Sequence, residues 1–123
     1  QLAQSLWSCG RMVDQATSFC NDDDDDEGED HWMNLSFEKS VMSISQELTS
    51  RVGEMTPKDL AQATWAIGKL RLNNARVVCA FAYKAKDMTS KLNAIEVTNC
   101  MWGLCKVNFN DREVATALCE RLL

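Results

Sequence analysis

The sequence predicts an all-α protein, an α-solenoid of stacked antiparallel helix-pair repeats of about 37 residues each. The first observation is a repeated segment: LAQSLWSCGRM at 2–12 returns as LAQATWAIGKL at 60–70 and, more loosely, as VTNCMWGLCKV at 97–107. The second is the apolar spacing within each copy, which has the period of an amphipathic helix. The third is a partner helix, since NNARVVCAFAYKA at 73–85 is matched 37 residues later by NDREVATALCERL.

The first helix of each pair is predicted to bury one broad face. Apolar residues five and one before the tryptophan, and two and five after it, cluster on one side of a helix. These predicted core residues are Leu2, Leu6, Cys9 and Met12 in the first copy, Leu60, Thr64, Ile67 and Leu70 in the second, and Val97, Met101, Leu104 and Val107 in the third.

Small residues and tryptophans flank this face. Gly10, Gly68 and Cys105 are small enough to let a neighbouring helix approach closely. Trp7, Trp65 and Trp102 lie at its margin, where packing between the paired helices is favoured over the alternative of stacking on nucleic-acid bases.

Capping chemistry marks where helices begin. Thr56 offers an N-cap hydroxyl followed by Pro57 at the first helical position and Asp59 at the third. Asn93 with Glu96 repeats this arrangement in the next copy, and we expect Asn110 to cap the last helix together with Glu113. The partner helix of the first copy is predicted at 36–51.

A single helical-repeat domain is predicted over residues 1–123. Repeat 1 covers about 1–54 with an acidic disordered insertion at about 14–34, repeat 2 about 55–91, and repeat 3 about 92–123. The run DDDDDEGED at 22–30 holds eight of the eighteen acids, which leaves thirteen bases against ten acids elsewhere, so the repeats are mildly basic. Because the chain starts at Gln1 and ends within a helical pattern, we expect the array to continue beyond it.

Composition excludes several classes of function. Cys9, Cys79, Cys100, Cys105 and Cys119 fall within helical apolar patterns, so we expect small core residues in a reducing compartment and neither disulfides nor zinc. An EF-hand reading of the acidic run fails because Asn34 occupies the position where a glutamate is required. With His31 as the single histidine, no nucleophile paired with a base and no apolar run of membrane-spanning length, we expect no enzyme, cofactor, metal, small-molecule substrate or membrane span.

A polar stripe repeats beside the tryptophans. An amide stands three residues before each tryptophan and a cation four residues after it, a spacing that puts both on one line of the helix. Amides can pair with base edges and cations neutralise phosphates, while the small Ser8, Ala66 and Gly103 would leave room for a base. A solvated polar face is the alternative reading of the stripe. The candidate RNA-binding residues are Gln4, Arg11, Gln62, Lys69, Asn99 and Lys106.

The segment TPKDLAQATWAIGKLRL resembles the helix of the octotricopeptide repeat, which is related to repeats in organellar proteins carrying a RAP domain. The matching residues of the second copy are Thr56, Pro57, Asp59, Leu60, Ala61, Trp65, Ala66, Lys69 and Leu70. The resemblance covers about two-thirds of the chain; it departs in a period one residue shorter than the family's name implies and in the acidic insertion.

The resemblance implies a non-enzymatic RNA-binding solenoid in a chloroplast or mitochondrion, acting in transcript stabilisation, processing, translation or ribosome assembly. Single-stranded RNA is the expected partner, and neighbouring protein subunits are a second. The alternative function is a protein–protein scaffold within a larger organellar complex, since helical solenoids also bind peptides and subunits. Three phosphate contacts imply a salt slope of only about −2, so three repeats alone give weak selection of RNA.

Overall fold

The computed structural model describes the backbone of residues 2–19 and 35–123, and the side chains of residues 3–12 and 37–123. Within these ranges the chain forms six α-helices: α1 (Leu2–Phe19), α2 (Leu35–Ser50), α3 (Pro57–Lys69), α4 (Ala75–Asp87), α5 (Ala94–Lys106) and α6 (Arg112–Leu122). Short 3₁₀ turns at Val52–Glu54 and Thr89–Lys91 follow α2 and α4. Because the described residues contain helices and no strand, the predicted all-α class is confirmed.

The starts of α3 and α5 follow the predicted capping chemistry. The backbone N–H of Asp59 donates to the hydroxyl of Thr56 over 3.2 Å, and Pro57 occupies the first helical position. At α5, the N–H of Glu96 donates to the side chain of Asn93, while the Glu96 carboxylate accepts from the N–H of Asn93. These bonds satisfy backbone donors that the first turn of a helix leaves without partners.

The predicted cap of α6 is wrong by one residue. Asp111, not Asn110, accepts the backbone N–H groups of Glu113 and Val114, at 2.9 and 3.2 Å. Asp111 stands 37 residues after Asn74, which caps α4 in the same way. A carboxylate at this position also complements the positive end of the helix dipole.

The ends of α3 and α5 are alike as well. Arg71 and Asn108, 37 residues apart, adopt left-handed φ angles of 51° and 58°. The next residue then donates its N–H back into the helix, from Leu72 to Ile67 in α3 and from Phe109 to Leu104 in α5, both over 2.9 Å. This C-terminal motif reverses the chain and directs it into the following helix.

The helices form two layers. Helices α1, α3 and α5 lie side by side in the first layer, and α2, α4 and α6 lie side by side in the second. Each first-layer helix also contacts the helix that follows it in the chain. The core lies between the layers, where Leu6, Leu60, Ile67, Phe81 and Leu118 are fully or almost fully buried.

Two glycines allow α3 and α5 to touch through their backbones. A Cβ placed on Gly68 would lie 2.5 Å from the Cα of Gly103, and one placed on Gly103 would lie 2.1 Å from the carbonyl oxygen of Thr64. Gly10 is similarly placed against Trp65 of α3. The predicted close approach is therefore present at Gly10 and Gly68, whereas Cys105, the third member of that series, is exposed.

Most of the predicted core face is buried, with one clear exception. Leu6, Leu60, Thr64, Ile67, Leu70, Val97, Leu104 and Val107 are buried, Cys9 and Met101 are half-buried, and the side chain of Leu2 lies outside the described set.

Met12 is 61% exposed, so its assignment to the core is wrong. Its counterparts Leu70 and Val107 lie where the chain turns back into α4 and α6. Helix α1 does not turn back at that point but continues to Phe19.

The same continuation corrects the predicted start of the insertion. Residues 14–19, which the sequence assigned to a disordered segment, form the last part of α1. The acidic run at 22–30 and His31 lie outside the described residues.

The described cysteines are free thiols and differ in burial. Cys100 is buried, Cys9 and Cys79 are half-buried, and Cys105 and Cys119 are exposed. The prediction of small core residues therefore holds fully for Cys100 and is wrong for Cys105 and Cys119. Burial raises the pKa of the Cys100 thiol to about 12.

No helix among the described residues combines the length and apolar content that a bilayer crossing requires.

Candidate functional site

Three tryptophans form a row across the first layer. The ring centroids of Trp7 and Trp65 are 6.3 Å apart with planes tilted by 39°, and those of Trp65 and Trp102 are 5.9 Å apart with planes at 23°. All three side chains are half-buried. The rings therefore pack along the layer, from one helix pair to the next, whereas the sequence favoured packing within a pair. We call these three residues the tryptophan row.

The three predicted cations lie over this row. The Arg11 guanidinium is 5.6 Å from the Trp7 ring centroid, and the Lys106 ammonium is 5.5 Å from that of Trp102. The Lys69 ammonium is shared between two rings, 5.9 Å from Trp65 on its own helix and 5.3 Å from Trp102 on the next. Cation–π contacts at exposed sites stabilise by about 0.5–1 kcal/mol each, so the rings help to hold the three charges against the tryptophan row.

The sequence contained a signal for these contacts. Each cation stands four residues after its tryptophan, and residues at that spacing are neighbours on a helix surface. The sequence analysis assigned the cations to phosphates and the tryptophans to packing between the paired helices, and it did not predict a contact between them. The additional contact between Lys69 and Trp102 depends on the spacing of α3 and α5, which the sequence of one helix does not contain.

The three predicted amides lie on the same helices as the cations. Gln4 is exposed, while Gln62 and Asn99 are half-buried. Seven residues separate amide and cation on each helix, which corresponds to about 10 Å along the helix axis. Within the described part of the chain, no hydrogen bond to another protein group engages these side-chain amides. They can therefore donate to and accept from a ligand.

The predicted space for a base beside the row is absent at two of three positions. Ala66 is fully buried, and Gly103 is buried against the backbone of α3. Ser8 on α1 is exposed. Ala66 lies against Gly10 of α1 and Gly103 lies against α3, so both serve helix contact and a ligand would lie on the outside of the row.

The two layers differ in charge. The described side chains of α1, α3 and α5 include four bases and two acids, and both acids, Asp59 and Glu96, lie in the first turn of a helix. In the second layer an ion pair joins two helices: Lys86 of α4 bonds Glu113 of α6 over 2.8 Å. Beside them Tyr83 donates to Asp111 over 2.8 Å. The positive charge of the first layer is therefore concentrated at the tryptophan row.

In the described part of the chain, no group of three or more histidine, cysteine or acidic side chains is placed to hold a metal ion.

In the comparison with known proteins, no protein-family model, curated protein or solved structure matches this chain.

Proposed function

We propose that the chain is an α-solenoid of three helix-pair repeats that binds single-stranded RNA, without catalysis, along the tryptophan row. The proposed repeats cover about 1–54, 55–91 and 92–123. Three observations support this division. Helices α3 and α5 are both 13 residues long and begin 37 residues apart. Helices α4 and α6 also begin 37 residues apart. The 3₁₀ turns at Val52–Glu54 and Thr89–Lys91 are separated by the same interval.

The observation that carries the RNA proposal is the alignment of Arg11, Lys69 and Lys106 over adjacent rings on one surface. A single strand of RNA presents phosphates in a line, and a line of cations neutralises them without regard to sequence. Gln4, Gln62 and Asn99 lie about 10 Å from these charges along each helix. In this proposal the amides read base edges while the cations bind phosphates.

The tryptophans have an orienting role in this proposal. Their rings contact one another and the cations, so they form the aromatic surface against which the charged side chains lie. RNA would approach Lys69 and Lys106 from the solvent side. Binding would then change the surroundings of the indoles, and tryptophan fluorescence would report it.

The test measures binding of a fluorescently labelled single-stranded RNA by anisotropy at several salt concentrations. Three phosphate contacts predict a salt slope of about −2, which corresponds to about a 20-fold loss of affinity between 50 and 200 mM salt. The double variant Lys69→Glu/Lys106→Glu should weaken binding by at least about tenfold and reduce the slope to about −0.7, since one cation remains.

A matched control changes charge on the other layer. Lys39 on α2 and Arg76 on α4 are both exposed and stand 37 residues apart, like Lys69 and Lys106. The variant Lys39→Glu/Arg76→Glu has the same net charge as the test variant and should retain most of the affinity. Equal losses in the two variants would contradict a specific surface and indicate non-specific attraction.

The same comparison of variants also tests the alternative function, a protein–protein scaffold. If the Lys69→Glu/Lys106→Glu variant bound RNA like the unaltered protein and lost a protein partner instead, the surface would be a docking site for protein. The organellar setting in a chloroplast or mitochondrion is proposed from the resemblance alone, and fractionation of cells producing the tagged full-length protein tests it.

A further inference from the structure

A second cation lies on the polar stripe of α3, at the end opposite to Lys69. Lys58 stands four residues before Gln62 and eleven before Lys69. Residues at these spacings lie along one side of a helix, so Lys58 shares the side of α3 that carries the amide and the first cation. Along this side the order is therefore lysine, amide, tryptophan, lysine.

Lys58 has no contact that would explain its place by stability alone. Its side chain is exposed, and within the described part of the chain no hydrogen bond or ion pair engages its ammonium group. It lies in the first turn of α3, where the helix dipole favours acids such as Asp59 and does not favour a cation. The N–H donors of the ammonium group therefore remain open to a ligand.

The third repeat carries a different residue at the equivalent position. Ile95 stands four residues before Asn99, as Lys58 stands before Gln62, and its side chain is 73% exposed. An isoleucine side chain has no hydrogen-bond donor or acceptor. The two repeats thus present the same kind of amide and the same cation after the tryptophan, but differ in the residue beside the amide.

We infer that Lys58 contacts the base bound by the second repeat and makes that repeat prefer guanine over adenine. The inference rests on the proposed RNA binding. Lys58 lies about 16 Å from Lys69 along the axis of α3, beyond Gln62, so it stands at the base-reading end of the stripe and away from the phosphate-binding cation. A lysine ammonium donates to O6 and N7 of guanine, whereas adenine carries an amino donor in the place of O6.

Fluorescence anisotropy with two labelled RNAs tests the preference. One is a short oligouridine with a single central guanosine, and the other has adenosine at the same place. The unaltered protein should bind the guanosine RNA about fivefold more tightly, the lower end of the discrimination that a direct base contact gives.

Exchanging the two residues moves the preference between repeats. Lys58→Ile gives the second repeat the residue of the third and should make the two affinities equal. The double variant Lys58→Ile/Ile95→Lys should restore the preference, since the lysine then stands beside Asn99. Both positions are exposed, so the fold should be retained, which circular dichroism verifies. Lys39→Ile on α2 removes the same charge from the second layer and should leave the preference unchanged.

The results separate this inference from the proposed function. Equal affinities of the unaltered protein for the two RNAs, with binding still dependent on Lys69 and Lys106, would overturn the guanine preference and leave RNA binding standing. A preference that survives Lys58→Ile, or that does not return in the double variant, would overturn it as well. Absence of binding to either RNA would overturn the proposed function itself and this inference with it.

Discussion

Replacing Gly103 by alanine should destabilise the protein, although alanine is the better helix former. Gly103 lies within α5, three residues before its end, where alanine alone would favour the helix by up to about 1 kcal/mol. The added Cβ, however, would lie 2.1 Å from the carbonyl oxygen of Thr64 and 3.1 Å from the backbone nitrogen of Trp65. Both atoms belong to the backbone of α3, so no side-chain rotation relieves the contact.

The geometry sets the size of the effect. Reaching ordinary van der Waals contact at 3.4 Å requires the oxygen of Thr64 and the new Cβ to separate by about 1.3 Å. Because α3 and α5 are packed along their length, this shift is distributed over the whole first-layer contact. Overpacking typically costs about 1–3 kcal/mol, and a contact of 2.1 Å with a backbone oxygen belongs at the upper end of that range. After about 1 kcal/mol is subtracted for the helix preference of alanine, we expect a net loss near 2 kcal/mol and a fall in Tm of about 10 °C.

Urea and thermal unfolding followed by far-UV circular dichroism measure this loss. Near-UV circular dichroism provides a second reading, because moving α5 away from α3 separates the rings of Trp65 and Trp102, now 5.9 Å apart. Gly53→Ala is the matched control: its Cβ would meet nothing within 4 Å, so its stability should be unchanged or higher by up to about 1 kcal/mol. A Gly103→Ala variant as stable as the unaltered protein would refute the close approach of α3 and α5.

Three further outcomes are expected. Trp65→Ala should lower the free energy of unfolding by about 3 kcal/mol, because the Trp65 ring contacts both neighbouring rings in the tryptophan row. Urea unfolding measures this loss, and an unchanged urea midpoint would contradict it. The hydrogen bond from Tyr83 holds the pKa of Asp111 below its ordinary value of 3.8, so the stability that this bond gives the folded protein is present above about pH 4 and is lost as the pH falls further. The difference in unfolding free energy between the unaltered protein and Tyr83→Phe should therefore shrink between pH 6 and pH 3, and a constant difference would exclude this linkage. Iodoacetamide should label Cys105 rapidly and Cys100 only on unfolding, as mass spectrometry would show; equal rates in the folded protein would disprove the burial of Cys100.

Local chemistry was sufficient to predict the starts of α3 and α5. The Thr56 and Asn93 caps depend on atoms within three residues of one another, so the sequence contains all the participants. At α6 the prediction named Asn110, but the neighbouring Asp111 is also of a type that caps helices, and the position of the first turn decides for Asp111.

Burial was predicted correctly where a helix ends and the chain turns back. Leu70 and Val107 are buried at such turns, whereas Met12 is exposed because α1 continues. Periodicity places a residue on a face of its helix but does not say whether another helix covers that face. Cys105 and Cys119 show the same limit, since both are exposed although their counterparts Gly68 and Ala82 are buried.

By itself, the sequence determined the all-α class, the 37-residue spacing of its elements and the line of amides and cations, because these depend on residues close together in the chain. Only the tertiary structure decided that the tryptophans stack along the layer, that Lys69 lies over Trp102, and that Gly103 meets the backbone of α3. Those contacts join different helices, and their distances depend on how closely two backbones approach. That separation is set by the packing of both helices together and cannot be read from either one alone.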